Sequence, residues 1–149
     1  GADLSGADLS GAKLWGANLS GTNLSGANLE EANLWWADLS GAKLHKAKLY
    51  GADLWDADLS GAKLHGADLS GADLEEADLT RADLTRADLI RADLCEADLS
   101  GADLTGALVT PEELANAASL TSTTMPDGSI HNERPARPPN GGAGRLGLL

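Results

Sequence analysis

From Gly1 to Thr105 the chain repeats every five residues. The fourth position is Leu in all 21 units, from Leu4 to Leu104. The second is Ala in every unit but one, where Thr22 stands. The third is Asp, Asn or Lys, and the first and fifth are mostly small or polar. A repeat this strict takes precedence over every other signal. A helix does not accommodate it: at about 100° per residue, successive Leu residues scatter around the axis and leave no apolar face. One long strand does not either, because an odd period sends consecutive Leu residues to opposite faces. A short extended piece followed by a bend does. In Ala-Asp-Leu, alternation puts Ala and Leu on one side and Asp on the other. The next two residues, often Ser-Gly, turn the corner.

Repeated bending in one sense winds the chain into a coil, which three corners close at 15 residues and four at 20. The outward residues decide between them. Trp15, Trp35 and Trp55 recur at twenty, as do Lys43 and Lys63, and His45 and His65. A 15-residue coil would instead place Trp15 on Glu30 and His45 on Ser60. The spacing therefore predicts four sides per coil, with the Leu residues filling the axis and Ala the smaller gaps. At about 4.8 Å between neighbouring strands, the 21 units make about 5.25 coils and a rod roughly 25 Å long.

The units A-(D/N)-L-x-x over Gly1 to Thr105 resemble those of the pentapeptide-repeat proteins. The resemblance implies an all-β solenoid, a right-handed quadrilateral β-helix. The expected organisation is a β-helix over 1–109, a C-terminal cap over 110–130 and a disordered tail over 131–149. In the cap, Thr110, Pro111 and Glu113 form a capping-box start, and the predicted helix runs from Pro111 to Ala117. It is expected to cover Leu108, which falls in an outward slot. The fives then resume with Leu120, Met125 and Ile130 in Leu slots, Ala118 and Thr123 in Ala slots, and a turn at Pro126-Asp127-Gly128. Many bacterial members of the family look similar here, with T-P-E-x-L followed by M-P-D-G. The tail is rich in Pro, Gly and Arg, a composition that does not build a core.

Composition refines this picture. The chain has 149 residues, 3% aromatic and no Phe, so large rings do not fill its core. Cys95 is the single cysteine and forms no intrachain disulfide. No apolar run approaches the roughly 20 residues of a membrane span, and no signal peptide is visible; a cytoplasmic location is the expectation. The chain starts inside a repeat without Met, and the edge of its first coil invites pairing. The expectation there is either residues upstream or a partner, with end-to-end self-association through that coil as one form.

Two surfaces stand out. Trp15, Trp35 and Trp55, with Trp36 across a corner and Tyr50 beside them, form a candidate interaction surface, its stacked rings expected to pack offset face to face. Its bland reading is a stabilising ladder. The acids form the other. Residues 1–50 hold five acids and four bases, whereas residues 51–105 hold fourteen and four. The net charge of −10 over that second segment, about 13 Å of axis, approaches the charge density of duplex DNA. Its candidate surface is the column Asp38, Asp58, Asp78, Asp98 with Asp56, Glu76 and Glu96 beside it. The bland reading is a solvated face that keeps a solenoid soluble.

No catalytic, cofactor or metal site is expected. His45 and His65 lack a third ligand, and the neighbouring Lys43, Lys46 and Lys63 disfavour a cation. Neither a nucleophile triad with a cleft nor a phosphate loop is present. Cys95 lies near acids that keep a thiol protonated. The expected role is a non-enzymatic structural or protein-interaction solenoid with no direct nucleic-acid contact. The resemblance implies an alternative, since some members of the family bind DNA gyrase in place of DNA and protect it from quinolone drugs. That alternative is an acidic DNA mimic that binds a type II topoisomerase.

Overall fold

The computed structural model describes residues 1–132. Numbering the positions of each unit 1 to 5, every unit spends slots 2 to 4 in extended backbone and slots 5 and 1 in a turn. In the first turn the Leu4 carbonyl accepts from the Ala7 N–H at 3.0 Å, and Gly6 between them has φ +67°. This is a four-residue turn with a left-handed third residue, the conformation for which glycine is favoured. Nine slot-1 positions adopt the same conformation without glycine, among them Trp36 at φ +55° and Arg81 at φ +56°.

Four such turns close one coil. Slot-3 residues pair in parallel at a spacing of twenty, from Asp3 with Asn23 through to Asp88 with Leu108. From the second coil on, a slot-3 residue uses both backbone groups: Asp98 N–H donates to Ala77 O in the coil before, and Asp98 O accepts from Leu79 N–H. The coil thus has four sides. Side 1 carries residues 1–5 and every twentieth block after it, side 2 begins with 6–10, side 3 with 11–15 and side 4 with 16–20. Leu24 to Leu104 are 0–1% exposed in an unbroken axial column, with the slot-2 alanines buried around them. Leu4, Leu9, Leu14 and Leu19 are only partly buried, because no described coil lies on their other side.

Slot 3 also holds the turns in place. Asp or Asn there accepts the slot-5 N–H two residues on, as in Ser40 N–H to Asp38 Oδ1 at 3.0 Å. This Asx-turn stabilises the corner locally. Lysine cannot make it, and slot 3 is Lys at 13, 43, 48 and 63.

After side 2 of the last full coil comes helix α1, Pro111–Leu114. Its capping box is closed on both arms: Glu113 N–H donates to Thr110 Oγ1 at 3.3 Å, and Thr110 N–H to Glu113 Oε2 at 2.7 Å. The helix ends three residues before the expected Ala117. Leu114 turns into the axial column instead, and its carbonyl accepts from Ala117 N–H as in any other coil turn. Because α1 takes the place of side 3 in this coil, with Glu113 on the Arg91 N–H of the coil before, it does not fold back over side 2. Leu108 therefore stays 58% exposed, contrary to the expectation that the helix covers it.

A bulge follows. Ala118 N–H donates to Ala97 O while Ser119 O accepts from Leu99 N–H, so two residues face Asp98 where one normally does. Ala117, not Ala118, is consequently the buried alanine. Leu120 is buried, Thr123 is 0% exposed with its hydroxyl on Leu99 O at 2.6 Å, and Met125 packs on the core. The expected turn at Pro126–Gly128 reverses the chain. Strand β1 (Thr123–Thr124) then pairs antiparallel with β2 (Ile130–His131). Ile130 leaves the Leu column and is 64% exposed. His131, assigned to the tail from sequence, is part of β2; the rest of the tail assignment, from residue 133, lies outside the described residues.

Candidate interaction surface

Slots 5 and 1 form the corners of the coil, so their side chains project furthest from the axis. The corner between sides 3 and 4 carries Trp15, then Trp35 with Trp36, then Trp55 with Asp56, then Glu75 with Glu76, then Cys95 with Glu96. Aromatic and acidic residues thus follow one another along a single edge.

Three of these rings form a cluster. Trp35 and Trp36 stack with centroids 5.1 Å apart at 15°; Trp55 leans on both, at 6.0 Å from Trp35 and 5.6 Å from Trp36. The expected offset column does not form. Trp55 is tilted 45° to Trp35, and among the described residues Trp15 has no ring contact and is 61% exposed. The parallel partner of Trp35 is its chain neighbour, brought alongside by the left-handed turn at Trp36. Tyr50 lies on a different corner, between sides 2 and 3, against Gly71. Trp36 is 52% exposed, Trp35 and Trp55 are half-buried, and the Trp35 Nε1–H is buried with no acceptor among the described residues.

Asp38, Asp58, Asp78 and Asp98 pair in succession on side 4 as expected. Each gives its Oδ1 to an Asx-turn, so half of every carboxylate is committed to the fold. The Ser40 hydroxyl, and after it the Ser40 N–H, hold the Asp38 carboxyl below its usual range. Asp56, Glu76 and Glu96 occupy slot 1 on the adjoining corner with φ of +51°, +60° and +55°. At Cys95, burial and then the charges of Asp93, Glu75, Glu96 and Glu76 push the thiol pKa up.

The opposite corner, between sides 1 and 2, is basic. His45 and His65 tilt together with centroids 6.5 Å apart, and His65 Nδ1 lies 2.7 Å from Thr85 Oγ1. Lys43, Lys46 and Lys63 surround them. Sequence reasoning missed that these bases face away from the acids, because charge was tallied along the chain and not around the coil. Among the described residues no group of three or more His, Cys, Asp or Glu could hold a metal ion. An open depression on the corner between sides 4 and 1 is lined by Ser60, Asp78, Thr80, Arg81 and Ser100. Among the described residues no helix is long and apolar enough to cross a membrane.

The model of the family described as pentapeptide repeats matches residues 2–41, 37–75 and 72–110 in eight copies. The chain belongs to the pentapeptide-repeat family. Solved members of the family are similar to it. A pentapeptide-repeat protein of the Arabidopsis thaliana thylakoid lumen is 31% identical over 85% of each chain, with a TM-score of 0.58. The pentapeptide-repeat protein Rfr23 of the cyanobacterium Cyanothece 51142 is 36% identical over 63% of this chain and 65% of its own, with a TM-score of 0.62. HetL, a pentapeptide-repeat protein involved in heterocyst differentiation regulation in the cyanobacterium Nostoc sp., is 34% identical over 87% of this chain and 78% of its own, with a TM-score of 0.44. None of the curated proteins compared matches the chain. Pentapeptide-repeat proteins are right-handed β-helices, and the twenty-residue coil of this one is of that type.

Proposed function

We propose that this chain is a non-enzymatic interaction module, a rigid coil that presents the corner between sides 3 and 4 to a protein partner. The Trp35–Trp36–Trp55 cluster carries the reading. A ladder built for stability alone would bury its rings and satisfy their N–H groups. Here Trp36 is half exposed and the buried Trp35 Nε1–H finds no acceptor among the described residues. Exposed aromatic rings at a fixed spacing are characteristic of contact surfaces. The axial column filled by Leu leaves no room for a substrate. Residues 110–130 serve as the cap that closes the far end of the column.

Trp36→Gly tests this cleanly, because glycine is the commonest residue at slot 1 and the φ of +55° suits it. Affinity capture with native protein, Trp36→Gly and Tyr50→Ala should retain the partner with Tyr50→Ala and lose it with Trp36→Gly, with the coil still folded by circular dichroism in both variants. Equal capture by all three would exclude the Trp corner as the contact.

The gathering of acids on sides 3 and 4 favours the second reading, an acidic mimic of DNA that binds a type II topoisomerase such as gyrase. Inhibition of gyrase supercoiling that fades with salt, and with Asp58, Asp78 and Asp98 changed to Asn, would establish it. Asn keeps the Asx-turn, as Asn18, Asn23 and Asn28 already do. No effect at micromolar protein would exclude it.

A further inference from the structure

Between residues 41 and 100 the coil is divided into two halves of opposite charge. On sides 3 and 4, residues 51–60, 71–80 and 91–100 hold ten acidic side chains and one basic. On sides 1 and 2, residues 41–50, 61–70 and 81–90 hold three acidic side chains and six basic, besides His45 and His65. The net charges are −9 and +3, on opposite halves of the same three coils.

The positive charge of sides 1 and 2 is concentrated in the first of these coils, in Lys43, Lys46 and Lys48; in the second, Asp68 balances Lys63, and in the third, Asp83 and Asp88 balance Arg81 and Arg86. In the first of these coils Lys46 stands across the axis from Trp55 and Asp56; in the second, Lys63 from Glu76; in the third, Arg86 from Glu96. Two copies lying side by side and parallel bring the basic corner of one to the acidic corner of the other with every coil in register, since both corners share the same strand spacing of about 4.8 Å. Lys46, which meets Trp55, also gains its ring face.

We propose that this protein associates with further copies of itself laterally, the basic corner between sides 1 and 2 of one copy seated on the Trp and acid corner of the next. The contact is heterologous: each copy keeps one free corner of each kind, so association extends into a row instead of closing as a dimer. It is a charge contact on narrow corners, so it is weak and depends on salt in a particular way. The net charge of the chain is −12 and repels at long range. At about 0.01 M salt, where charges act over about 30 Å, repulsion between whole molecules prevails. At about 0.1 M the range is about 10 Å and the facing corners prevail; at about 1 M, with about 3 Å, these are screened too. Association therefore peaks at intermediate salt. The inference does not rest on the proposed function.

The test is sedimentation velocity of the full chain over a range of concentrations at these three salt levels, with two charge-swapped variants. The first is Lys43→Asp, Lys46→Glu and Lys63→Asp; the second is Asp56→Lys, Glu76→Lys and Glu96→Lys. Every introduced residue type already occupies that slot elsewhere in the chain, so the fold is retained, and circular dichroism checks it. Native protein should rise above its 15.2 kDa monomer mass with concentration at about 0.1 M only. Each variant alone should lose at least about tenfold in association constant. Mixed in equal amounts, the two variants should associate again, although both remain net acidic: each swap moves the net charge of −12 by six. A native protein that stays monomeric throughout, variants that associate as the native chain does, or a mixture that fails to associate would each overturn the proposal.

Discussion

Gly61 and Arg81 occupy the same corner column one coil apart, with φ of +63° and +56°. Exchanging their character isolates the energy of the left-handed turn. A Cβ built on Gly61 meets nothing within 4 Å, so Gly61→Ala introduces no clash and its effect is confined to the backbone. The left-handed conformation costs an L-residue about 1–2 kcal/mol. The smaller conformational freedom of alanine in the unfolded chain offsets about 0.4–1 kcal/mol of that. Gly61→Ala should therefore destabilise by about 0.5–1 kcal/mol, and Arg81→Gly should stabilise by a similar amount. For a chain of this size that is roughly 2–3 °C in melting temperature, in opposite directions. Urea unfolding should show the same two shifts in midpoint at unchanged m-value. If Gly61→Ala were neutral or stabilising, or Arg81→Gly destabilising, the slot-1 conformation would not be the strained element described above.

The Asx-turn of Asp38 contributes to an acid limit of the fold. The Asp38 pKa is lower folded than unfolded, so its contribution is fully present above the usual value of 3.8 and is lost as pH falls through the folded pKa. Unfolding midpoints should hold from neutrality to about pH 5 and decline below about 4. Asp38→Asn, which keeps the turn, should flatten the decline; an unchanged slope would refute the assignment. Cys95 should react with a disulfide reagent at pH 7.5 more slowly than free cysteine, because burial and surrounding acids disfavour its thiolate; a faster rate would contradict the surroundings described.

The coil was legible because its cause is periodic. Leu at every slot 4 and Ala at slot 2 leave one way to bury both, and the Trp and His recurrences at twenty select four sides over three. What escaped depended on orientation or on single backbone choices. The Trp cluster forms across a turn, and the expectation of a column considered only residues twenty apart. The bulge that places Ala117 inside and Ala118 outside adds one residue without changing composition. Leu108 stays uncovered because α1 goes on round the coil in the place of side 3, a course that a capping box does not specify. The Asx-turns were visible in principle: Asp or Asn followed two residues later by a small polar residue is their signature, and read that way much of the acidic column is architecture before it is surface.

The twenty-residue coil also constrains how this protein can change in length. Every side has the same inward pattern, so the loss or gain of a single unit leaves the axial column continuous. Everything downstream, however, turns by a quarter of a revolution. Removing Gly51–Trp55 would carry the acids of side 4 round to side 3 and separate them from the tryptophans, with hardly a change in the core. Only insertions and deletions of whole coils keep the outer surfaces in phase. For this architecture, length is a rotational coordinate.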